Sequence, residues 1–213
     1  MSGTTIAIID YGMANLRSVQ KAFEQVGHRA RIIARPEEID RAEKIVLPGV
    51  GAFKDAVATL RQKELAGPIV RHIEKGKPFL GICLGLQMLF DKGYEDGEHD
   101  GLGVFRGSCV RFDVDDTMGL KVPHMGWNQL TVRRPSPLVR DLPPESNVYF
   151  VHGYHVVPDR GGGGDADDVV ATTTDYGRPF VSSIWRDNVM ATQFHPEKSQ
   201  RVGLKILENF AAL

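Results

Sequence analysis

Apolar residues in the first half of the chain fall into two alternating rhythms. Short continuous runs, Ile6-Ala7-Ile8-Ile9, Ile32-Ile33, Ile45-Val46-Leu47 and Phe79-Leu80-Gly81-Ile82, have the length of buried strands and are rich in β-branched residues. Between them the apolar positions stand three and four apart. Leu16, Val19, Phe23 and Val26 form one such series, closed by Gly27, and Ala56, Leu60 and Leu65 form another. That spacing puts each series on one face of a helix. A further helical pattern starts at Leu84 and runs to Phe90. Strands that alternate with helices predict a largely parallel sheet with helices on both faces.

The second half has a different rhythm. Val110 to Phe112, Leu130 to Val132 and Val148 to Val157 are strand-like but are separated by Pro and Gly. They predict a mixed or antiparallel extension of the sheet. Asp159 to Asp168, with four glycines at Gly161–Gly164, reads as a flexible surface loop. Val189 to Phe194 is a last core strand. Ser199 is placed to cap a final helix whose apolar positions are Val202, Ile206, Leu207 and Phe210. The expectation is one α/β domain spanning residues 1–213.

Composition narrows what such a domain does. A formal net charge of −1 supplies no global field for nucleic acid or an anionic membrane. No apolar run approaches the roughly 20 residues of a membrane span, and the opening Met-Ser-Gly-Thr-Thr-Ile lacks the pattern of a secretion signal. A cytoplasmic, reducing setting is therefore expected. The two cysteines, Cys83 and Cys109, are then separate thiols to be explained one at a time.

Cys83 lies in Gly81-Ile82-Cys83-Leu84-Gly85, at the junction of a predicted strand and a predicted helix. Glycines two residues to either side permit a sharp turn and close packing. Such a turn lifts the sulfur onto a helix N-terminus, where free N–H groups favour the thiolate. This is the context of a nucleophile elbow with Cys in place of Ser. A small buried structural cysteine is the competing reading. Cys109, in Gly107-Ser108-Cys109-Val110, has no elbow around it and reads as a packed thiol.

A nucleophilic cysteine needs a base, and the base needs an orienting group. Gln193-Phe194-His195-Pro196-Glu197 supplies both directly after the last strand. His195 and Glu197 are two apart, so an extended backbone sends them to one side. Pro48-Gly49-Val50-Gly51, at another strand end, has three readings. It presents N–H groups to an oxyanion, or forms a plain tight turn, or cradles phosphate; the last lacks the Lys-Ser/Thr ending of a phosphate loop. His152 and His155 sit three apart in one strand-like run, which predicts opposite faces, and His124 is far away in sequence. No clean zinc ligand set emerges, so no metal is expected. Pro123-His124-Met125-Gly126-Trp127-Asn128 is too polar and too rich in Gly and Pro for a buried strand, and reads as surface or interface.

With these segments in view, the sequence resembles the class I glutamine amidotransferases. Gly-Ile-Cys-Leu-Gly-Leu-Gln at 81–87 resembles their nucleophile segment, and Gln-Phe-His-Pro-Glu at 193–197 their His–Glu segment. Asp10 to Asn15, Pro48 to Phe53, Val122 to Asn128, Tyr149 to His152 and His195 to Ser199 are most similar to one branch, the glutaminase subunits of imidazole glycerol phosphate synthases. The Pro-Gly-Val-Gly segment is what separates this branch from glutaminases serving pyridoxal phosphate, GMP or anthranilate synthesis. A non-catalytic module with a sensing or structural cysteine is the more distant alternative.

The resemblance implies a flavodoxin-like α/β fold, no cofactor, and a Cys83–His195–Glu197 triad that releases ammonia from glutamine. It implies an oxyanion hole from the Leu84 N–H with one from Val50–Gly51. It implies glutamine held by Gln87, Glu95 and the backbone at Gly153 and Tyr154. The implied partner is a (β/α)₈-barrel cyclase, contacted through Asn15, Trp127, Tyr149 and Lys198. Position 153 departs from the pattern: a small hydroxyl residue is usual there and this chain has Gly153.

Overall fold

The computed structural model describes residues 5–114, 119–159 and 168–213. The opening residues and the Gly161–Gly164 run, singled out above, lie outside them.

The four apolar runs of the first half are strands β1 (Ile6–Ile9), β2 (Ala30–Ile33), β3 (Lys44–Gly49) and β4 (Phe79–Cys83). They are joined through α1 (Leu16–Gln25), α2 (Pro36–Arg41), and the pair α3 (Phe53–Gln62) and α4 (Ala66–Glu74). Leu65, grouped by spacing with the helix of Ala56 and Leu60, instead stands at the N-terminus of α4. All six residues of β3 and all five of β4 are buried, as strands covered on both faces must be.

Beyond β4 the reading of a helix to Phe90 is corrected. Helix α5 is a single turn, Leu84–Gln87, and the chain re-enters a strand, β5 (Phe90–Gly93). Pairing with β7 (Phe105–Arg111), and the Phe90 ring set 5.7 Å from that of Phe105, override the helical spacing. With the short β6 (His99–Asp100) and with β11 (Tyr154–Pro158), these strands make a four-stranded sheet.

The segment judged too polar for a buried strand forms a half-buried one, β8 (His124–Gln129), antiparallel to β10 (Asn147–His152). The main sheet is completed by β9 (Thr131–Val132), β12 (Val170–Asp175), β13 (Pro179–Arg186) and β14 (Val189–Thr192). Its order is β2-β1-β3-β4-β14-β13-β12-β9. The first five strands run parallel and the last three antiparallel, but of the three runs expected to extend this sheet only Leu130 to Val132 does so, as β9; Val110 to Phe112 and Val148 to Val157 pair instead in the two smaller sheets.

Alternate residues of β1 feed two cores. Ala7 and Ile9 pack with Ala56, Leu60 and Ile69 of α3 and α4. Ile6 and Ile8 pack with Val19 and Phe23 of α1 and with Ile206 and Phe210 of the last helix, α6 (Gln200–Ala211). Among the described residues, no helix is long and apolar enough to cross a membrane.

Candidate active site

Two neighbouring parallel strands, β4 and β14, end side by side, with Ile82 opposite Thr192. Ligands collect at the carboxyl ends of such strands. The chain leaves β4 through Cys83 at φ 55°, ψ −107°, a conformation that non-glycine residues seldom adopt. The elbow glycines are there for space. A Cβ on Gly85 would lie 1.9 Å from the Leu47 carbonyl oxygen, and one on Gly81 would lie 2.8 Å from that of Gly85. The turn therefore closes only because strand and helix backbones touch, and it leaves the Cys83 side chain at the N-terminus of α5.

Leaving β14, the chain passes Gln193 and Phe194 into His195 and a single turn of 3₁₀ helix, Pro196–Lys198. His195 Nδ1 lies 2.8 Å from Glu197 Oε1, with both side chains buried. The carboxylate accepts from that nitrogen, so the imidazole turns Nε2 away from it. Nε2 is buried without a hydrogen-bond partner, as is Glu197 Oε2. Burial alone would push the His195 imidazole down. The neighbouring Cys83 sulfur and the bonded Glu197 carboxylate outweigh it and raise the group to about 10. An imidazolium beside the sulfur, oriented by a carboxylate, is what this geometry favours.

Ser199 stands at the N-cap of α6, but its hydroxyl caps nothing. It donates instead to the His195 carbonyl (2.6 Å) and accepts from the Tyr149 N–H (3.0 Å), while the His195 N–H donates to the Tyr149 carbonyl (3.0 Å). This ring of bonds fixes the His195 backbone against β10. The capping role expected of Ser199 is thus corrected, because both partners of its hydroxyl lie outside its own helix.

Gln193 is the residue that the motifs contained without a role. Its Nε2 lies 3.7 Å from Cys83 Sγ, and its Oε1 accepts from Gln87 Nε2 (3.1 Å). Gln87 also donates to the Tyr154 carbonyl (3.1 Å), so both of its amide hydrogens are used. That carbonyl further accepts from His152 Nδ1 (2.7 Å). Gly153 contributes its own carbonyl to the Phe112 N–H (3.1 Å). A Cβ added there would meet only Val122, at 3.4 Å, so a hydroxyl residue would fit. Glu95 Oε2 accepts from the Phe53 N–H (2.7 Å), at the start of α3. That bond anchors the helix directly after the Pro48–Gly51 segment.

At Pro48–Gly51 the Val50 N–H donates to the Met13 carbonyl (2.9 Å) and so is not offered to the sulfur. Gly51 follows at φ 98°, a left-handed conformation that glycine adopts at little cost.

The surface residues divide. Trp127 and Tyr149 face each other across β8 and β10 with ring centroids 6.1 Å apart, and Lys198 Nζ stands 5.9 Å over the Tyr149 ring. Asn15 is at the start of α1, where it borders a groove with Asp10 and Gln20. His152 and His155 do not part to opposite faces: β10 ends at His152, β11 starts at Tyr154, and both rings reach Phe112, at 5.1 and 4.8 Å. His124, remote in sequence, closes to 3.3 Å from His152. Among the described residues, no cluster of His, Cys, Asp or Glu suits a metal ion.

The pattern described as "Glutamine amidotransferase class-I" matches residues 7–212. The chain belongs to that family. Similar relatives include the imidazole glycerol phosphate synthase subunit HisH of Syntrophotalea carbinolica, 57% identical over 208 residues, covering 96% of this chain and 98% of that one. That of Aquifex aeolicus is 53% identical over 204 residues, covering 95% and 94%. Solved structures share the fold. PurLQS from Thermotoga maritima gives a TM-score of 0.73 at 19% identity, covering 98% of this chain and 97% of that one. The glutaminase domain of Trypanosoma brucei CTPS gives 0.67 at 16%, covering 98% and 94%. This amidotransferase therefore carries the expected flavodoxin-like sheet as well as the expected family motifs.

Proposed function

We propose that this amidotransferase is the glutaminase subunit of an imidazole glycerol phosphate synthase, with Cys83, His195 and Glu197 as its catalytic residues. The observation that carries the reading is the burial of the His195–Glu197 pair beside a strained Cys83 elbow, in a chain that matches such subunits over nearly its whole length.

The Cys83 thiolate attacks the side-chain carboxamide carbon of glutamine. His195, held by Glu197, gives its proton to the departing ammonia. It then takes a proton from water, which hydrolyses the γ-glutamyl thioester and frees the thiolate. The oxyanion is met by the Leu84 N–H and by an N–H of the Val50–Gly51 segment, each such donor being worth about 3 kcal/mol. Gln87, Glu95 and the backbone of Gly153 and Tyr154 surround the glutamine head group. For Gln87 and the Tyr154 carbonyl that role is indirect, because their hydrogen bonds are already used within the protein. Ammonia passes to a (β/α)₈-barrel cyclase that docks on Trp127, Tyr149, Lys198 and Asn15, in a cytoplasmic heterodimer.

The bond from Val50 N–H to Met13 further supports a resting state. One oxyanion donor is turned away, and the Val50 peptide must rotate before the hole is complete. The free chain is therefore expected to hydrolyse glutamine slowly, and faster with its cyclase. Glutamate release by the purified chain, alone and with the cyclase and its substrate, tests both points. Full-rate hydrolysis by the chain alone rules out the resting state. Absence of glutamine hydrolysis with the cyclase present rules out the function.

A further inference from the structure

Behind the nucleophile lies a series of hydrogen bonds, exposed at its far end and buried toward the sulfur, whose donors and acceptors are fixed at every link. At one end the Gln129 N–H donates to Asn128 Oδ1 (2.8 Å), and Asn128 Nδ2 donates to the Asp175 carbonyl (2.8 Å). An N–H only donates and a carbonyl only accepts, so the orientation of this amide is set. Its second hydrogen points to His124 Nε2, 3.3 Å away.

At the other end, the Tyr154 carbonyl lies 2.7 Å from His152 Nδ1, so that nitrogen carries a proton. Both rings are neutral: burial pushes His124 down to about 4 and His152 down to about 3. A neutral imidazole has one N–H. His152 Nε2 is therefore bare and accepts from His124 Nδ1, 3.3 Å away. His124 then has a bare Nε2, as the Asn128 amide requires. Assignments made from the two ends meet without conflict.

The series continues to the sulfur. The Tyr154 carbonyl takes its second donor from Gln87, which holds Gln193 by Oε1 and leaves Gln193 Nε2 facing Cys83 Sγ. Packing holds the rings still, with His124 stacked on Tyr176 at 4.0 Å and on Phe150 at 4.9 Å. At the buried members, His124, His152, Gln87 and Gln193, a missing link leaves a group unpaired, and the neighbouring links weaken with it.

We infer that Asn128, His124 and His152 are positioning residues for Cys83. They hold the Tyr154 carbonyl, and through it Gln87 and Gln193, in the arrangement that aims an amide N–H at the sulfur. The inference rests on Cys83 being the nucleophile, but its test needs no glutamine turnover. His195 and Tyr11, whose ionisation the sulfur also influences, are left untouched.

Nitrogen-15 NMR of the full chain at neutral pH should show His124 and His152 both as the Nδ1–H tautomer, the minor form of free histidine. An Nε2–H signal from either overturns the series. His124→Phe keeps an aromatic ring against Phe150 and Tyr176 and removes both nitrogens. It should leave His152 Nε2 without its donor and slow iodoacetamide alkylation of Cys83, read by mass spectrometry, about tenfold. The milder Asn128→Leu, at the half-buried end, should slow it about threefold. Loss of packing alone would shift the unfolding temperature and leave the alkylation rate unchanged. A folded His124→Phe or Asn128→Leu chain with unchanged Cys83 alkylation overturns the positioning role.

Discussion

Cys83 and Cys109 are both buried, yet their surroundings give them opposite fates. Cys109 is packed among apolar side chains, and burial pushes its thiol well above the ordinary range. Cys83 has His195 and Gln193 beside it. Cys83→Ala is therefore expected to abolish glutamine hydrolysis while the assembled enzyme still uses free ammonia. Cys109→Ser should leave the rate unchanged and cost about 1–3 kcal/mol of stability, for an unpaired hydroxyl in an apolar core. Glutamate release and urea denaturation check the pair. His195→Ala should lose nearly all activity and Glu197→Gln a smaller part, because the base moves the protons and the carboxylate only aims it. Comparison of the two turnover numbers decides, and equal or reversed losses contradict these roles. At this scale the grouping of the proposed triad was legible, because Cys83 ends a strand between two glycines and His195 and Glu197 flank a proline shortly after another. Gln193, Ser199 and the fully bonded amide of Gln87 were not, because their work is defined by partners that only the fold brings near.

Elements were legible where their pattern was uniform. Continuous apolar runs marked β1 and β4 nearly to the residue and the cores of β2 and β3, whose ends carry Arg31, Lys44 and Gly49. Patterns that break were misread. Four helical positions after Cys83 continue into a strand, because pairing with β7 outweighs local preference. The run Val148 to Val157 folds as β10 and β11, broken at Gly153. Segment 123–128 looked irregular because its apolar residues face outward: Met125 and Trp127 are 63% and 48% exposed. The elbow makes its own prediction. Gly85→Ala drives a methyl group to 1.9 Å from the Leu47 carbonyl and should cost at least about 3 kcal/mol, measured by chemical denaturation, or prevent folding.

For the molecule as a whole, the buried histidines set the response to acid. His124 and His152 have folded values of about 4 and about 3, below their unfolded values near 6.5. Between those limits the unfolded chain binds more protons, so stability falls as pH falls below about 6.5. Together the two contribute a slope approaching about 2.7 kcal/mol per pH unit near pH 5. Urea denaturation from pH 7.5 to 4.5 should show this decline, to which the downward-shifted His72 and His155 add, and His124→Phe should remove about half of what His124 and His152 contribute. His195 acts in the opposite sense. Raised to about 10, it stabilises most below its unfolded value and loses that contribution as pH rises through about 10.

Strand β8 places Met125 and Trp127 on the outside and His124 and Asn128 on the inside, by simple alternation. Two messages are thus written on one short string, in interleaved letters. The outer letters meet whatever docks there, and the inner ones reach the nucleophile. Substitution of the outer letters can retune partner choice while the inner ones stay fixed, so recognition and chemistry are free to diverge at different rates. A rigid shift of the strand, by contrast, moves both sets at once. The same stretch is therefore independent in heredity and coupled in mechanics.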